Sequence, residues 1–139
     1  MKLFVANSVD ELEPVARYIV ERLQDFSTVC LFGEMGAGKT TLVQTIATIL
    51  NIREQVSSPT YALVNLYQSS IGDIAHLDLF RLNSVEEAEE IGLEDYLYNN
   101  ICFVEWSDDF ADLMPNKRLN VYISKLNQQS RQIEVEEKL

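Results

Sequence analysis

The stretch "TVCLFGEMGAGKTTLVQTIATIL", residues 28–50, decides the fold of this chain. It begins as a short apolar strand, passes through a glycine-rich turn and continues as an apolar run with helical spacing. The turn, residues 33–41, contains the pattern Gly-x-x-x-x-Gly-Lys-Thr, which cradles phosphate when a buried strand precedes it and a helix follows it. Because both neighbours are present, the sequence predicts a nucleoside triphosphate-binding loop rather than a plain glycine turn.

The residues of this loop have distinct expected roles. Backbone N–H groups at the positive end of the helix should point at the phosphates. The Lys39 side chain would reach the β- and γ-phosphates, and the Thr40 hydroxyl would bind magnesium. The predicted nucleotide-binding residues are Gly36, Ala37, Gly38, Lys39, Thr40 and Thr41.

An acidic side chain at the end of a neighbouring strand would complete the magnesium site. Asp78 follows the apolar run "IAHL", and Glu105 follows "ICFV". We expect at least one of them to contribute, and Glu105, which ends the more apolar strand, is the more central candidate. Trp106 comes next and belongs either to the core or to a surface that faces nucleotide or a partner. His76 has no Cys or His companion and is interpreted as structural.

Size and composition favour one domain that spans residues 1–139. No apolar run approaches the roughly 20 residues of a membrane span, and "MKLFVANSVDELEP" turns acidic too early for a secretory signal. Cys30 and Cys102 both lie in strand-like apolar runs, so we expect buried, reduced thiols. These features predict a cytoplasmic protein that makes no use of a membrane.

The charge balance argues against direct binding of nucleic acid. The chain carries 22 acidic and 11 basic residues, which gives a formal net charge of −11. Binding to a phosphate backbone requires clustered Lys and Arg. Residues 84–95, "SVEEAEEIGLED", are especially acidic and form either a solvated helix face or a docking surface for a basic partner.

The first half of the chain predicts an amphipathic helix and a strand pair around the loop. Apolar residues recur with helical spacing over residues 9–23, with capping-box spacing between Ser8 and Glu11. Pro14 better suits a first turn that begins near Glu13. Residues 61–67 and 74–79 predict two strands whose short connection makes them antiparallel.

The second half predicts an acidic helix and three strands. Ser84 and Glu87 form another capping-box pattern, and Gly92 should interrupt the helix that follows. "ICFVEW" predicts a central strand covered on both faces. Alternation near the C-terminus predicts a hairpin at the sheet's edge. The predicted fold class is therefore α/β, a P-loop NTPase-like three-layer sandwich in which a mixed sheet has a parallel centre and antiparallel edge hairpins.

The sequence favours ATP over GTP. Arg81 stands three places after Asp78, where a GTPase switch has glycine, and "NKRL" carries Leu119 where the guanine-reading acid belongs. Leucine cannot accept a hydrogen bond from the base. A small-metabolite kinase remains the alternative, although kinases usually close an arginine-rich lid over the phosphates and the arginines here are scattered.

Five motifs in order resemble the bacterial TsaE family, formerly called YjeE. They are "GEMGAGKTT", "SSPTYALVNLY", "HLDLFRL", "EEIGLEDYL" and "FVEWSD", and the resemblance runs over residues 8–131. It departs from the family at Phe80, where tyrosine is common. The resemblance implies a small P-loop ATPase, slow alone, that assists the TsaD and TsaB proteins in threonylcarbamoylation of the adenosine beside the tRNA anticodon.

The resemblance also implies roles for single residues. Residues 36–41 would bind ATP, Thr40 and Glu105 would bind magnesium, and Asp78 would act with Lys39 in catalysis by arranging the attacking water. Thr60, in "SSPTY", falls in the family's first switch, although the Ser-Pro-Thr within this stretch could instead only shape a turn. Trp106 corresponds to the tryptophan beside the nucleotide. The RNA would be held by the partners, which agrees with the acidic composition.

Overall fold

The computed structural model describes residues 1–56 and 64–139, and within these ranges seven strands form one sheet. The order of the strands across the sheet is β1-β7-β6-β2-β5-β4-β3. Their bounds are β1 Lys2–Ala6, β2 Thr28–Phe32, β3 Val64–Ser69, β4 Gly72–Asp78, β5 Ile101–Glu105, β6 Arg118–Lys125 and β7 Arg131–Lys138. The helices are α1 Glu13–Val20, α2 Lys39–Ile49, α3 Val85–Glu90 and α4 Leu93–Asn99, and 3-10 helices cover Val9–Leu12 and Asp108–Leu113.

The sheet has a parallel centre and antiparallel flanks. Strand β2 pairs in parallel with β5 and β6, and β4 pairs in parallel with β5. The pairs β3–β4, β6–β7 and β1–β7 are antiparallel. This arrangement confirms the predicted α/β class with its mixed sheet. It also confirms β5 as a central strand, since Cys102, Phe103 and Val104 are all buried.

Helices cover both faces of the sheet, as side-chain alternation along the strands requires. One core packs α1 and α2 against Val29, Leu31 and Phe103. The other packs α3, α4 and the second 3-10 helix against the alternate positions Cys30 and Val104. The three layers follow directly from this alternation, because each central strand is apolar on both sides.

The predicted N-terminal helix begins where Pro14 indicated. A 3-10 helix runs to Leu12, and α1 begins at Glu13 with Pro14 in its first turn. The predicted cap at Ser8 is wrong, because its side chain makes no capping hydrogen bond. The Glu11 carboxylate instead accepts from the Asn7 N–H at 2.8 Å, one residue before the N–H that the capping-box pattern uses.

Strand β1 was not predicted, and it changes the position of the C-terminal hairpin. The hairpin β6–β7 forms, but β7 also pairs with β1, which is the outermost strand on that side. Only Ala6 of β1 is fully buried, while Leu3 and Val5 are exposed. So short a strand depends on pairing with distant β7 for its stability, and local sequence carries little information about it.

The strand pair β3–β4 and the acidic helix follow the prediction. Strands β3 and β4 are antiparallel, and the predicted first strand is described from Val64 onward, since residues 57–63 lie outside the described part. The Ser84 hydroxyl accepts from the Glu87 N–H at 3.2 Å and caps α3. Gly92, with a φ of 79°, separates α3 from α4. Among the described helices, none has the length and apolar character that crossing a membrane requires.

Candidate functional site

The glycine-rich loop connects the carboxyl end of β2 to the start of α2. Gly36 and Gly38 have φ angles of 82° and 112°, which side chains of L-residues strongly disfavour. A Cβ at Gly38 would meet no atom within 4 Å, so glycine is required there for backbone conformation. At Gly33 the requirement is space, because a Cβ would lie 2.7 Å from the Ile123 carbonyl oxygen.

The loop delivers the N-terminus of α2, where backbone donors have no acceptor within the helix. Helix α2 begins at Lys39, and the first intrahelical bond runs from the Leu42 N–H to the Gly38 carbonyl. The amides of residues 38–41 therefore precede the helical hydrogen-bond ladder and lie at its positive end. The Ala37 N–H differs, since it donates to the Glu34 carbonyl at 3.0 Å within the loop.

Lys39 lies inside the loop with only 6% of its surface exposed. Its ammonium donates to the Gly33 carbonyl at 2.5 Å and lies 3.7 Å from the centre of the Trp106 ring. Burial lowers the pKa of Lys39, while the nearby carboxylates, Glu105 and Asp78 first among them, act in the opposite direction. The loop lysine is thus a partly desolvated cation, surrounded by a carbonyl, an aromatic face and acids.

Thr40 and Glu105 come together although 65 residues separate them. The Thr40 hydroxyl donates to Glu105 Oε2 at 3.4 Å, and Glu105 is 3% exposed. Glu105 ends β5, the parallel neighbour of β2, so the carboxyl ends of both strands meet at the loop. The structure therefore brings the two predicted magnesium ligands together.

Asp78 lies beside Glu105 but has a different environment. The two residues are register partners at the carboxyl ends of β4 and β5. Asp78 Oδ1 accepts from the Phe80 N–H at 2.9 Å, which stabilises the turn after β4. Asp78 is therefore adjacent to the loop, while Glu105 is the acid that contacts Thr40.

Trp106 lies against the loop lysine at the end of β5. Its φ of 59° is uncommon for a bulky residue and turns the backbone out of the strand. The ring also packs against Phe80 with a centroid distance of 5.0 Å. The structure thus places Trp106 with Lys39, whereas Thr60 lies outside the described residues.

The most important residue that sequence reasoning missed is His76. It is fully buried on β4, and its Nε2 lies 2.5 Å from Glu105 Oε2. A single histidine in an apolar strand gives no local indication of such a contact, because it depends on the pairing of β4 with β5.

A cavity of about 350 Å³ adjoins the loop on the side of β1 and β7. Its lining includes Ala37, Gly38 and Thr41 of the loop, with Asn7 and Arg131 from distant parts of the chain. The Arg131 guanidinium donates to the Ala37 carbonyl at 2.8 Å and ties β7 to the loop. The sequence did not predict the side of the cavity formed by Asn7 and Arg131, because the β1–β7 pairing that brings these residues to the loop was not predicted.

Known proteins share this sequence and this architecture. The family model "Threonylcarbamoyl adenosine biosynthesis protein TsaE" matches residues 6–133. The TsaE protein of Bacillus subtilis is 29% identical over 125 residues, which covers 89% of this chain and 78% of that protein. The TsaE protein of a Nostoc species is 34% identical over 139 residues, which covers 96% of this chain and 84% of that protein.

A solved structure has the same fold. The crystal structure of Bacillus subtilis YdiB superimposes with a TM-score of 0.74 at 22% identity and covers 95% of this chain and 82% of that one. At this identity the likeness concerns the fold alone. Since the family model matches nearly the whole sequence, the chain belongs to the TsaE family of threonylcarbamoyl adenosine biosynthesis proteins.

Proposed function

We propose that this protein binds ATP with Mg²⁺ at the glycine-rich loop and hydrolyses it in support of tRNA threonylcarbamoyladenosine biosynthesis, the process named in its relatives. The observation that carries the proposal is the contact between Thr40 of the loop and Glu105 of the neighbouring strand, with Lys39 buried beside them. This combination of donors is the one expected of a phosphate-loop nucleotide site.

The described residues fit a magnesium nucleotide in their chemistry. The amides at the start of α2 supply donors for phosphate oxygens, and Lys39 supplies a compact positive charge. Thr40 and Glu105 would hold the cation, which when bound neutralises charge on the β- and γ-phosphates. Such a site needs few protein ligands, since Mg²⁺ is usually bound by one or two side chains, phosphates and water.

Asp78 is proposed to act on water rather than on the cation. Its carboxylate is oriented by the Phe80 N–H and lies beside Glu105 at the strand ends. A fixed acceptor in that place can hold a water molecule near the phosphates. Lys39 would stabilise the negative charge that develops during transfer.

The cavity beside the loop provides space for a nucleoside of either kind, and the position of Leu119 supports ATP over GTP. The cavity beside the loop, about 350 Å³, is large enough to contribute to a nucleoside site. Leu119, which follows the sequence "NKR", is fully buried in β6 and pairs with Val29, so this segment belongs to the core and not to a guanine-reading loop.

The partners proposed are the TsaD and TsaB proteins, with tRNA bound through them. The net charge of −11 disfavours direct contact with RNA. Helices α3 and α4 carry acidic residues in both first turns, which suits a basic protein surface. The same acids would repel the anionic acceptor of a small-metabolite kinase, which is the alternative function.

The test is the affinity of Lys39→Ala for ATP and Mg²⁺, measured by isothermal titration calorimetry. Loss of a charge-assisted contact of about 1.5–3 kcal/mol should weaken binding by about 10- to 100-fold. Lys117→Ala is the matched control, because Lys117 precedes β6 at the opposite end of the sheet from the loop. Unchanged affinity in Lys39→Ala would contradict the proposal.

Two further assays separate the proposed function from its alternatives. ATP should displace a bound fluorescent nucleotide at a lower concentration than GTP. Hydrolysis by the isolated chain should be slow and should rise when purified TsaD, TsaB and tRNA are added. Stimulation by a small metabolite, without any effect of those proteins, would favour the kinase.

A further inference from the structure

His76 contacts Glu105, one of the two predicted magnesium ligands, more closely than Thr40 of the loop does. It is the only histidine of the chain and has no exposed surface. Its Nε2 lies 2.5 Å from Glu105 Oε2, whereas Thr40 Oγ1 lies 3.4 Å from the same oxygen. Glu105 is therefore held mainly from the sheet and only weakly from the loop.

Strand register explains why this contact is specific. His76 pairs with Phe103, and Asp78 pairs with Glu105, in the parallel ladder of β4 and β5. Residues two apart on a strand project from the same face. His76 lies on β4 two residues before Asp78, the register partner of Glu105, and therefore reaches Glu105 diagonally across the two strands. It does so on the face that packs against α2, where Phe103 belongs to the core.

The hydrogen-bonding groups determine which imidazole nitrogen carries the proton. An ionised carboxylate only accepts hydrogen bonds, so Nε2 must carry the hydrogen shared with Glu105. Nδ1 is buried and has no partner among the described residues. The contact with Glu105 is therefore a hydrogen bond from Nε2–H to Oε2.

We propose that His76 is a positioning residue, which orients the Glu105 carboxylate for the magnesium ion of the proposed function. The terminal torsion of glutamate is broad and roughly two-fold, so an unrestrained carboxylate would rotate. The bond from Nε2–H to Oε2 fixes that rotation. Because the Thr40 contact is long, the Thr40 hydroxyl can exchange it for a cation while Glu105 keeps its direction.

The first experiment examines the unaltered protein by nuclear magnetic resonance after ¹⁵N labelling of histidine. With only one histidine, the imidazole nitrogens of His76 are assigned without ambiguity. We expect Nε2 to show the chemical shift of a protonated nitrogen, both before and after addition of Mg²⁺ with a non-hydrolysable ATP analogue. An unprotonated Nε2 in the free protein would overturn the proposal, whatever the nucleotide affinity.

The second experiment compares His76→Gln with His76→Leu. The glutamine amide can place an N–H where imidazole Nε2 lies, whereas leucine fills space and donates nothing. Loss of an outer partner of a metal ligand typically costs 10- to 100-fold, so His76→Leu should raise the Mg²⁺ concentration for half-maximal nucleotide binding by about that factor. His76→Gln should stay within about three-fold of the original protein.

The controls distinguish positioning from a purely structural role. Nucleotide affinity without Mg²⁺ should be equal in both variants, and urea unfolding shows whether each variant is folded. Equal Mg²⁺ dependence of His76→Leu and the original protein, or no rescue by a folded His76→Gln, would overturn the proposal. If Glu105→Gln leaves the Mg²⁺ dependence unchanged, the proposed metal site fails, while the resonance experiment still decides the His76–Glu105 bond.

Discussion

Substitution of Gly38 by alanine should damage the glycine-rich loop through backbone conformation alone. Gly38 precedes α2 with a φ of 112° and a ψ of 21°, and a Cβ there would meet nothing within 4 Å. Gly92 provides a matched control at the start of α4. It has a φ of 79° and a ψ of 33°, is equally free of neighbours and lies in the acidic segment.

The expected cost follows from how far each glycine lies from the left-handed well near a φ of about 57°. Gly92 lies close to that well, where an L-residue costs about 1–2 kcal/mol. Gly38 lies well outside it, where a strained residue costs about 2–3 kcal/mol. The reduced entropy of the unfolded chain offsets about 0.4–1 kcal/mol in each case. We expect a net loss of about 1 kcal/mol in the free energy of unfolding for Gly92→Ala and about 2 kcal/mol for Gly38→Ala.

The two variants should also differ in nucleotide affinity. A loop that stays strained in free Gly38→Ala lowers the free energy of unfolding by about 2 kcal/mol. A loop that relaxes in the free protein largely spares that stability, but nucleotide binding must then restore the strained conformation, and about 2 kcal/mol corresponds to roughly 30-fold weaker binding. Gly92→Ala should bind within about two-fold of the original protein. Urea denaturation and titration calorimetry with ATP and Mg²⁺ measure both quantities. Unchanged stability together with unchanged affinity in Gly38→Ala, or equal losses in Gly92→Ala, would refute the reasoning.

Three other expectations concern chemistry, thiols and docking. Asp78→Asn should keep nucleotide affinity within about two-fold and lower the rate of hydrolysis by about 10- to 100-fold, since it removes the acid proposed to hold water near the phosphates. Steady-state kinetics measures the rate and calorimetry measures the affinity, and an equal loss in both would contradict this expectation. Burial raises the pKa of Cys102 to about 12 and also raises the pKa of the Cys30 thiol. A thiol reagent at pH 8 should therefore modify neither cysteine until guanidinium unfolds the chain, and rapid modification of the native protein would disprove their burial. Charge reversal of the glutamates of α3 other than Glu87, whose carboxylate accepts from the Asn83 N–H, should preserve ATP affinity and abolish stimulation by the partner proteins; full stimulation would identify the segment as a solvated face.

The parts of the fold that sequence predicted correctly depend on neighbouring residues. The turn residues of the loop, the Ser84 cap and the break at Gly92 each act within a few positions of one another. The central position of β5 was predictable because a strand buried on both faces is apolar throughout. Such features can be predicted without knowledge of the tertiary structure.

The features that were missed depend on pairing between distant segments. Strand β1 is defined by its hydrogen bonds to β7, and those bonds bring residues 7 and 131 to the loop. His76 contacts Glu105 only because β4 lies beside β5. An acid close to Thr40 was expected, since parallel strands end at one edge of the sheet. Which of the two acids contacts Thr40 depends on the register of the strands.

The environment of Lys39 bears on how readily nucleotide would leave the proposed site and bind to it again. A buried ammonium without a partner is costly, but here the Gly33 carbonyl and the face of Trp106 compensate the charge in the free protein. In the proposed function, phosphate would displace contacts that already satisfy the lysine, which would reduce the net gain on binding and favour departure of the product. A protein that must repeatedly bind and release nucleotide would benefit from nucleotide-bound and free forms of similar free energy, because neither form would then persist at the expense of the other.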